Sequence, residues 1–447
     1  MANQWQHRAW IFATILRAAT VAMAIGVVLV LTAGIAESAG PPNYSVVYNF
    51  TGGADGANPW AGLTIDAAGN IYGTTLNGGS ASGPGYGVVF QLKPSRSGFT
   101  FNSIYSFTGG ADGAGPVARV VLGSNGSLYG TAHAGGRLDC GVPGFQYTGC
   151  GVVFQLSPQQ NKTPWTESVL YTFTGASDGA NPWGKVTFDQ SGNLYGTAEF
   201  GGNPTCVLTS SGCGTVFKLA PSGGSWTQSV LYSFTNGSDG SRPYAGLTFD
   251  TSGNLYGTNF YGAGTGCTGI FQSPGCGTVF KLTPAGLGWV ESTVYAFQGG
   301  SDGGFSQTGV IVDQSGNLYT ATTSFGSGNT GTVVELSPSS GSWTFNLLAS
   351  FSGAIFQQGG PRENLVMDLA GNLYGTTNSA GKYGYGAVFK LTRSGSTWTY
   401  TSLHDFTGSS YGFNPVSNIV FDASGNLYGT TTYGGTKGKG VVWKIKP

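Results

Sequence analysis

Charge is scarce in this sequence. Asp, Glu, Lys and Arg make up 9% of its 447 residues, with 19 acids balancing 19 bases. A soluble domain ordinarily carries about a quarter charged residues. Cations so few and so scattered form no basic stripe, so nucleic acid is not an expected partner. Histidine is rarer still, with three residues, of which only His133 and His404 lie beyond the first forty. No Cys-x-x-Cys occurs, so a zinc site lacks ligands, and no metal is expected. The H-E-x-x-H helix of zinc hydrolases is absent, and no G-x-S-x-G string stands between a strand and a helical pattern as a nucleophile elbow requires. So is any stretch with helical periodicity and caps. What abounds is glycine, 79 residues, and aromatic rings, 13% of the chain. Glycine does not fall on every third residue, which excludes collagen. A hydrophobic fraction of 40% with no net charge excludes an expanded, disordered chain.

The N-terminus has its own character. His7, Arg8 and Arg17 precede an uncharged run from Ala18 to Ala36, followed by small residues at Ser38 and Ala39. Residues 1–38 read as a secretory signal peptide, or as an N-terminal anchor, since the run exceeds the usual ~7–15 residues. Either places residues 40–447 outside the cytoplasm, secreted or periplasmic, with no other membrane contact. Cysteine usage agrees. The six cysteines form three close pairs, Cys140 with Cys150, Cys206 with Cys213 and Cys267 with Cys276, and each second member sits in a G-C-G-x-V-F context. That repeated placement selects three local disulfides and an oxidising compartment.

Repeats determine the fold class. The string G-N-L-Y-G-T or a near copy occurs with its tyrosine at Tyr72, Tyr129, Tyr195, Tyr256, Tyr319, Tyr374 and Tyr428, about 59 residues apart. In the third copy four strand-like segments follow one another: KVTFD (185–189), NLYGTA (193–198), GTVFKL (214–219) and SVLYSF (229–234). Four antiparallel strands in each of seven units predict an all-β, seven-bladed β-propeller. The segment SVVYNF (45–50) matches a fourth strand and GVVWKIKP (440–447) a third, so the N-terminal strand is expected to complete the last blade.

The pattern D-G-x-x-P, then D-x-x-G-N-L-Y-G-T-T-x-x-G-G, then G-x-V-F-K-L resembles the GloVer tandem repeat of secreted and surface proteins of bacteria. The resemblance covers Ser45 to Pro447. It implies an extracytoplasmic protein and, since that family has no established activity, no particular chemistry. Members with a C-terminal sorting anchor carry a hydrophobic tail that this sequence does not show before Pro447.

Candidate residues come from what the repeats do not explain. Asp66, Asp189, Asp250, Asp313, Asp368 and Asp422 occupy D-x-x-G-N turns and read as turn caps, with calcium the one cofactor they would suit. Asp55, Asp112, Asp178, Asp239 and Asp302 stand in Asp-Gly turns between blades, on the face that carries the disulfide loops. A carboxylate ring there, beside Trp60, Trp183 and Tyr244, would suit a sugar or cation near the central tunnel. The second strands of units two to four end differently from the others, placing His133, Glu199, Phe200, Phe260 and Tyr261, with Asp139, close to the stapled loops. Trp165, Trp226, Trp289, Trp343 and Trp398, with Phe99 as their equivalent, read as packing residues. His404, which replaces the usual tyrosine of an outer strand, reads as structural.

For catalysis the remaining candidates are His133, Glu199 and Asp139, then Glu167, Glu291, Glu335, Glu363 and Asp405. The reading adopted is an exported binding module for a glycan or an extracellular protein. Its poverty of charge is expected to favour stacking and hydrogen bonding over ionic recognition. A carbohydrate-active hydrolase or lyase on the stapled face and a passive surface module are the alternatives.

Overall fold

The computed structural model describes residues 43–80, 85–140, 146–159, 162–206, 211–263, 266–267, 275–354 and 358–446. The signal peptide expected over residues 1–38 lies outside them. Among the described residues all regular structure is strand, arranged as seven four-stranded antiparallel sheets. Six sheets use consecutive strands. The third, for example, runs Thr187–Phe188, Leu194–Ala198, Thr215–Ser222 and Ser225–Ser233 from axis to rim. The seventh has the order Val420–Phe421, Leu427–Thr431, Val441–Ile445 and then Tyr44–Asn49, so the N-terminal strand is its outer edge. Tyr44 pairs with Ile445 and Asn49 with Val441. The expected closure is therefore present, and the fold is a seven-bladed β-propeller.

One expectation was too generous. Innermost strands have two paired residues, as in Thr187 with Tyr195 and Phe188 with Leu194. The preceding Pro182–Trp183–Gly184–Lys185 segment leaves the ladder, because Pro182 has no N–H to offer, and runs beside the axis instead.

Aspartate holds each turn between first and second strands. Asp189 Oδ1 accepts from the backbone N–H of Ser191 and Asn193 at 2.9 Å, and Oδ2 from Asn193 Nδ2 at 2.7 Å and the Tyr195 hydroxyl at 3.1 Å. Burial opposes ionisation there, but these donors hold the carboxyl below its ordinary value. Gly192, at φ 81°, supplies the left-handed residue that the turn needs. The same bonds recur at Asp66, Asp250, Asp313, Asp368 and Asp422.

The core lies between blades. Each hydrophobic cluster joins two neighbours, as when Leu63, Ile71 and Phe90 of the first blade meet Tyr428 and Val442 of the seventh. The rim aromatics seal these seams. Trp165 packs on Tyr72, Trp226 on Tyr129, Trp289 on Tyr195 and Trp398 on Tyr319, each against the preceding blade's repeat tyrosine with centroids 6.1–6.4 Å apart. Phe99 does the same to Tyr428 across the closure.

The repeat glycine is a packing device. In Leu-Tyr-Gly-Thr the glycine faces the Phe of the third strand, and a Cβ on Gly196 would lie 2.5 Å from Phe217 Cζ. Blade five has Thr320 at that position, and there the facing residue is Val334.

Candidate functional site

Bridges Ala57–Asn77, Ala114–Ala134, Ala180–Phe200, Ser241–Tyr261, Gly304–Ser324 and Phe413–Tyr433 tie six of the inter-blade loops to the loop after the second strand of the same blade, and in blade six the Ser379 N–H donates to Gly359 O at 3.0 Å. Both loop sets therefore share one face. The three disulfides form there, with Cα–Cα distances of 5.7, 5.6 and 5.3 Å. The first stapled loop also reaches its neighbour: the Tyr147 hydroxyl donates to Gly85 O at 3.1 Å and to the Asn77 side chain.

Each inter-blade loop descends to the axis through a proline, or Ser306 in blade five. The next residue is Trp60, Val117, Trp183, Tyr244, Gln307, Arg362 or Val416. Five of these line a pocket of about 390 Å³, completed by His133, Glu199, Phe200, Arg242 and Gln358. The rings stand edge to face, Trp60 to Trp183 at 6.5 Å, Trp183 to Tyr244 at 5.5 Å and His133 to Trp183 at 4.6 Å. Their exposed edges form the wall of the mouth.

Glu199 is buried and engaged on both sides. Tyr244 donates to Oε1 at 2.7 Å, Arg242 Nη1 lies 3.5 Å from the same oxygen, and His133 Nε2 is 3.9 Å from Oε2. Burial, with Glu199 alongside, pushes the Tyr244 phenol well above its ordinary pKa, so it stays a donor.

Arg242 has φ 53°. The equivalent positions carry Asn58, Asn181 and Asn414, residues that accept this conformation readily, and Asn181 Nδ2 bonds His133 O at 2.8 Å. An arginine there bears strain, which its guanidinium offsets by lying over Phe200 at 4.7 Å and Tyr261 at 5.3 Å and by facing Glu199.

Two residues further along the same segments lies a second cavity, of about 770 Å³. Its lining includes Arg119, Lys185, Asn364 and Asn418. Residues 183 and 185, like 362 and 364, contribute one to each cavity, so the two follow one another along the axis, with these paired lining residues about 7 Å apart.

Sequence reasoning placed Trp60, Trp183, Tyr244, His133, Glu199 and Phe200 at one site, and the fold brings them together. It also expected Phe260 and Tyr261 there. These are buried, supporting Tyr244 and Arg242 from beneath. Asp139 is elsewhere, exposed on the stapled loop and paired with Arg137 at 2.6 and 3.2 Å.

The carboxylate ring expected beside the aromatics does not form. Asp55, Asp112, Asp178, Asp239 and Asp302 face the outer strands. Asp178, for example, accepts from the Tyr171 hydroxyl at 2.9 Å and the Thr174 N–H at 2.8 Å. The backbone N–H contact recurs at Asp55, Asp112, Asp239 and Asp302. Sequence position gave their face of the ring but not their radius.

Glu335 is bound by Tyr319 at 2.7 Å and Asn346 at 3.1 Å, a structural assignment. Among the described residues no three His, Cys, Asp or Glu side chains gather as a metal site.

Arg242, Gln307, Gln358, Arg362, Arg119 and Lys185 were missed. Aligning the repeats on their prolines carries the signal, because the residue one or three after each proline lines the axis. The few charges of the chain are not all dispersed. Four cations border the two cavities.

The architecture is that of a seven-bladed β-propeller with an axial channel and a pocket at one mouth. The chain belongs to the Gloeobacter/Verrucomicrobia repeat family, whose pattern matches residues 36–271 and 266–447. Comparison with curated proteins finds no match. Among solved structures, the chain is similar to a protein described as a 6-phosphogluconolactonase from Bacteroides uniformis, with 14% identity, 76% of this chain and 83% of that one covered, and a TM-score of 0.45. It is also similar to a gluconolactonase from Xanthomonas campestris, with 15% identity, 66% and 79% covered, and a TM-score of 0.36. A Dyadobacter fermentans protein of unknown function shares 11% identity over 91% of this chain and 98% of its own, with a TM-score of 0.44.

Proposed function

We propose that the protein is exported by its N-terminal segment and serves outside the cytoplasm as a glycan-binding module, with the mouth pocket as its site. The observation that carries this reading is the pocket itself. Aromatic edges from Trp60, Trp183 and Tyr244 surround a few fixed polar groups, Glu199, Arg242, Gln307 and Arg362, in a volume that suits a sugar ring. Three disulfides and membership of a repeat family of secreted bacterial proteins support the location.

Binding is favoured over hydrolysis by the carboxylate count. Glu199 is the one carboxylate among the described residues lining the pocket, and its Oε1 is already held by Tyr244 and Arg242. Two-carboxylate glycoside hydrolysis needs a partner about 5–9.5 Å away.

The test is a glycan array probed with the protein secreted from its full-length chain, with and without calcium, followed by product analysis of any ligand. Expected are hits that Trp183→Ala abolishes while the thermal midpoint holds, with the ligand recovered intact. Cleaved product would replace this reading with the lyase or hydrolase. Binding unchanged in Trp183→Ala, or an absence of glycan ligands, would remove the mouth pocket as a glycan site and direct the search to a protein partner.

A further inference from the structure

The channel beneath the mouth is built for a negative charge. At the third residue after each proline, or after Ser306, the blades place Gly62, Arg119, Lys185, Gly246, Gly309, Asn364 and Asn418. Each of the three glycines accommodates a neighbouring side chain, Gly62 that of Asn418, Gly246 that of Lys185 and Gly309 that of Asn364, and the two cations stand on neighbouring blades. Burial depresses both cations, Arg119 lowers Lys185 further, and Glu363, half-buried beside the channel, is the carboxylate acting on both.

Of the four cations along the axis only Arg242 has a carboxylate within ion-pair distance among the described residues, Glu199 at 3.5 Å. Arg119 Nε is buried with no hydrogen-bond partner, and so are the Nε atoms of Arg242 and Arg362 at the mouth. Lys185 Nζ reaches one hydroxyl, Thr187 Oγ1 at 3.3 Å. Arg362 Nη2 donates to Gln358 Oε1 at 3.2 Å, a neutral acceptor. Four cations thus face two carboxylates, Glu199 and Glu363, along one axis in a chain that is otherwise poor in charge. These groups are half-buried, so their charges are less screened than in bulk water and an anion beside them would be strongly attracted.

We propose that the channel receives the carboxylate of an acidic sugar, Arg119 and Lys185 binding it while the ring or its neighbour rests against Trp183 and Tyr244. The proposal rests on the glycan-binding reading of the mouth and adds the charge of the ligand. Two observations select this chemistry. The rise of about 7 Å from Trp183 at the mouth to Lys185 below it is within the length of one or two sugar residues. Two cations offset by one carboxylate leave a single positive charge, which matches a uronate better than a phosphate dianion.

The experiment is titration calorimetry of the full secreted chain with oligogalacturonate, its methyl ester, a neutral oligosaccharide and a sulfated one. Expected is binding of the uronate at least about tenfold tighter than of its ester, lost in Arg119→Gln and in Lys185→Met. Both variants should keep or raise the thermal midpoint, because each relieves the desolvation of a cation and the repulsion between Arg119 and Lys185. A residue needed only for folding would lower it. Equal affinity for uronate and ester overturns the proposal and leaves the mouth reading intact. Preference for the sulfated glycan overturns the carboxylate assignment. Failure of every glycan overturns both readings together.

Discussion

The Tyr44 ring lies flat on the imidazole of His404, with centroids 4.0 Å apart and planes 9° from parallel. Tyr44 belongs to the N-terminal strand that completes blade seven, and His404 to the outer strand of blade six, so this stack spans a seam beside the closure. Other outer strands have tyrosine here, as in Tyr105, Tyr171, Tyr232 and Tyr295, whose hydroxyls donate to the Asp of the following turn. After His404 that turn has no aspartate, and neither ring nitrogen has a hydrogen-bond partner.

Stability should therefore depend on His404 in acid. Burial lowers its pKa to about 4, with Asp405 opposing the shift. Between pH 6.5 and 4 the unfolded chain takes up a proton that the folded chain refuses, so this contribution is present above 6.5 and lost as the pH falls. The cost at pH 4 is about 2–3 kcal/mol. In His404→Phe, denaturant midpoints measured from pH 7 to 4 should fall less steeply than in the native protein. An unchanged slope would show that the imidazole is solvated.

Gly196→Ala should destabilise the fold by about 1–3 kcal/mol, because its Cβ would overlap Phe217. Adding Phe217→Val should recover part of that loss, since blade five already pairs Thr320 with Val334. Thermal melts of both variants check the coupling, and simple additivity would count against it.

Glu167 and Glu291, half-buried on outer strands, should oppose alkaline stability. Burial raises each to about 7, helped by Asp112 and by Asp239 respectively. The folded state then holds a proton that the unfolded state releases near pH 4.5, and stability declines as the pH rises through 7. Gln228, at the equivalent place in blade three, donates to Asp178 O at 3.1 Å. Glu167→Gln with Glu291→Gln should accordingly raise the melting temperature at pH 8 more than at pH 5.

Uronate affinity should increase as the pH is lowered from 8 to 6. Burial and Arg119 bring Lys185 down to about 7, and burial raises Glu363 to about 7. Both gain a proton over this interval, which makes the channel more positive. Asn364, Asn418 and the three glycines facing them do not titrate. Calorimetry at three pH values checks the direction, and the trend should be weaker in Glu363→Gln, where Lys185 alone still titrates.

The architecture was legible because each repeat carries its own turn chemistry and alternation, so seven weak local signals agree. Trp60, Trp183, Tyr244, His133 and Glu199 were legible as differences among otherwise similar units. Arg119, Lys185 and Arg362 were not. In a linear reading each is an isolated cation tens of residues from the next, and only closure of the ring sets them opposite one another. The inter-blade aspartates failed in the opposite sense, because a periodic pattern reports the angle around an axis and says nothing of distance from it.

The pairing of Tyr44–Asn49 with Val441–Ile445 also fixes when the molecule can finish. Almost 400 residues must be made before the first strand meets its partner. Until then blade seven is missing, blade one has an unsealed flank, and the axial cations are not yet gathered around a common channel. Completion waits on the synthesis of Val441–Ile445, so the ring is sealed by a contact of very high sequence separation, the kind that forms slowest.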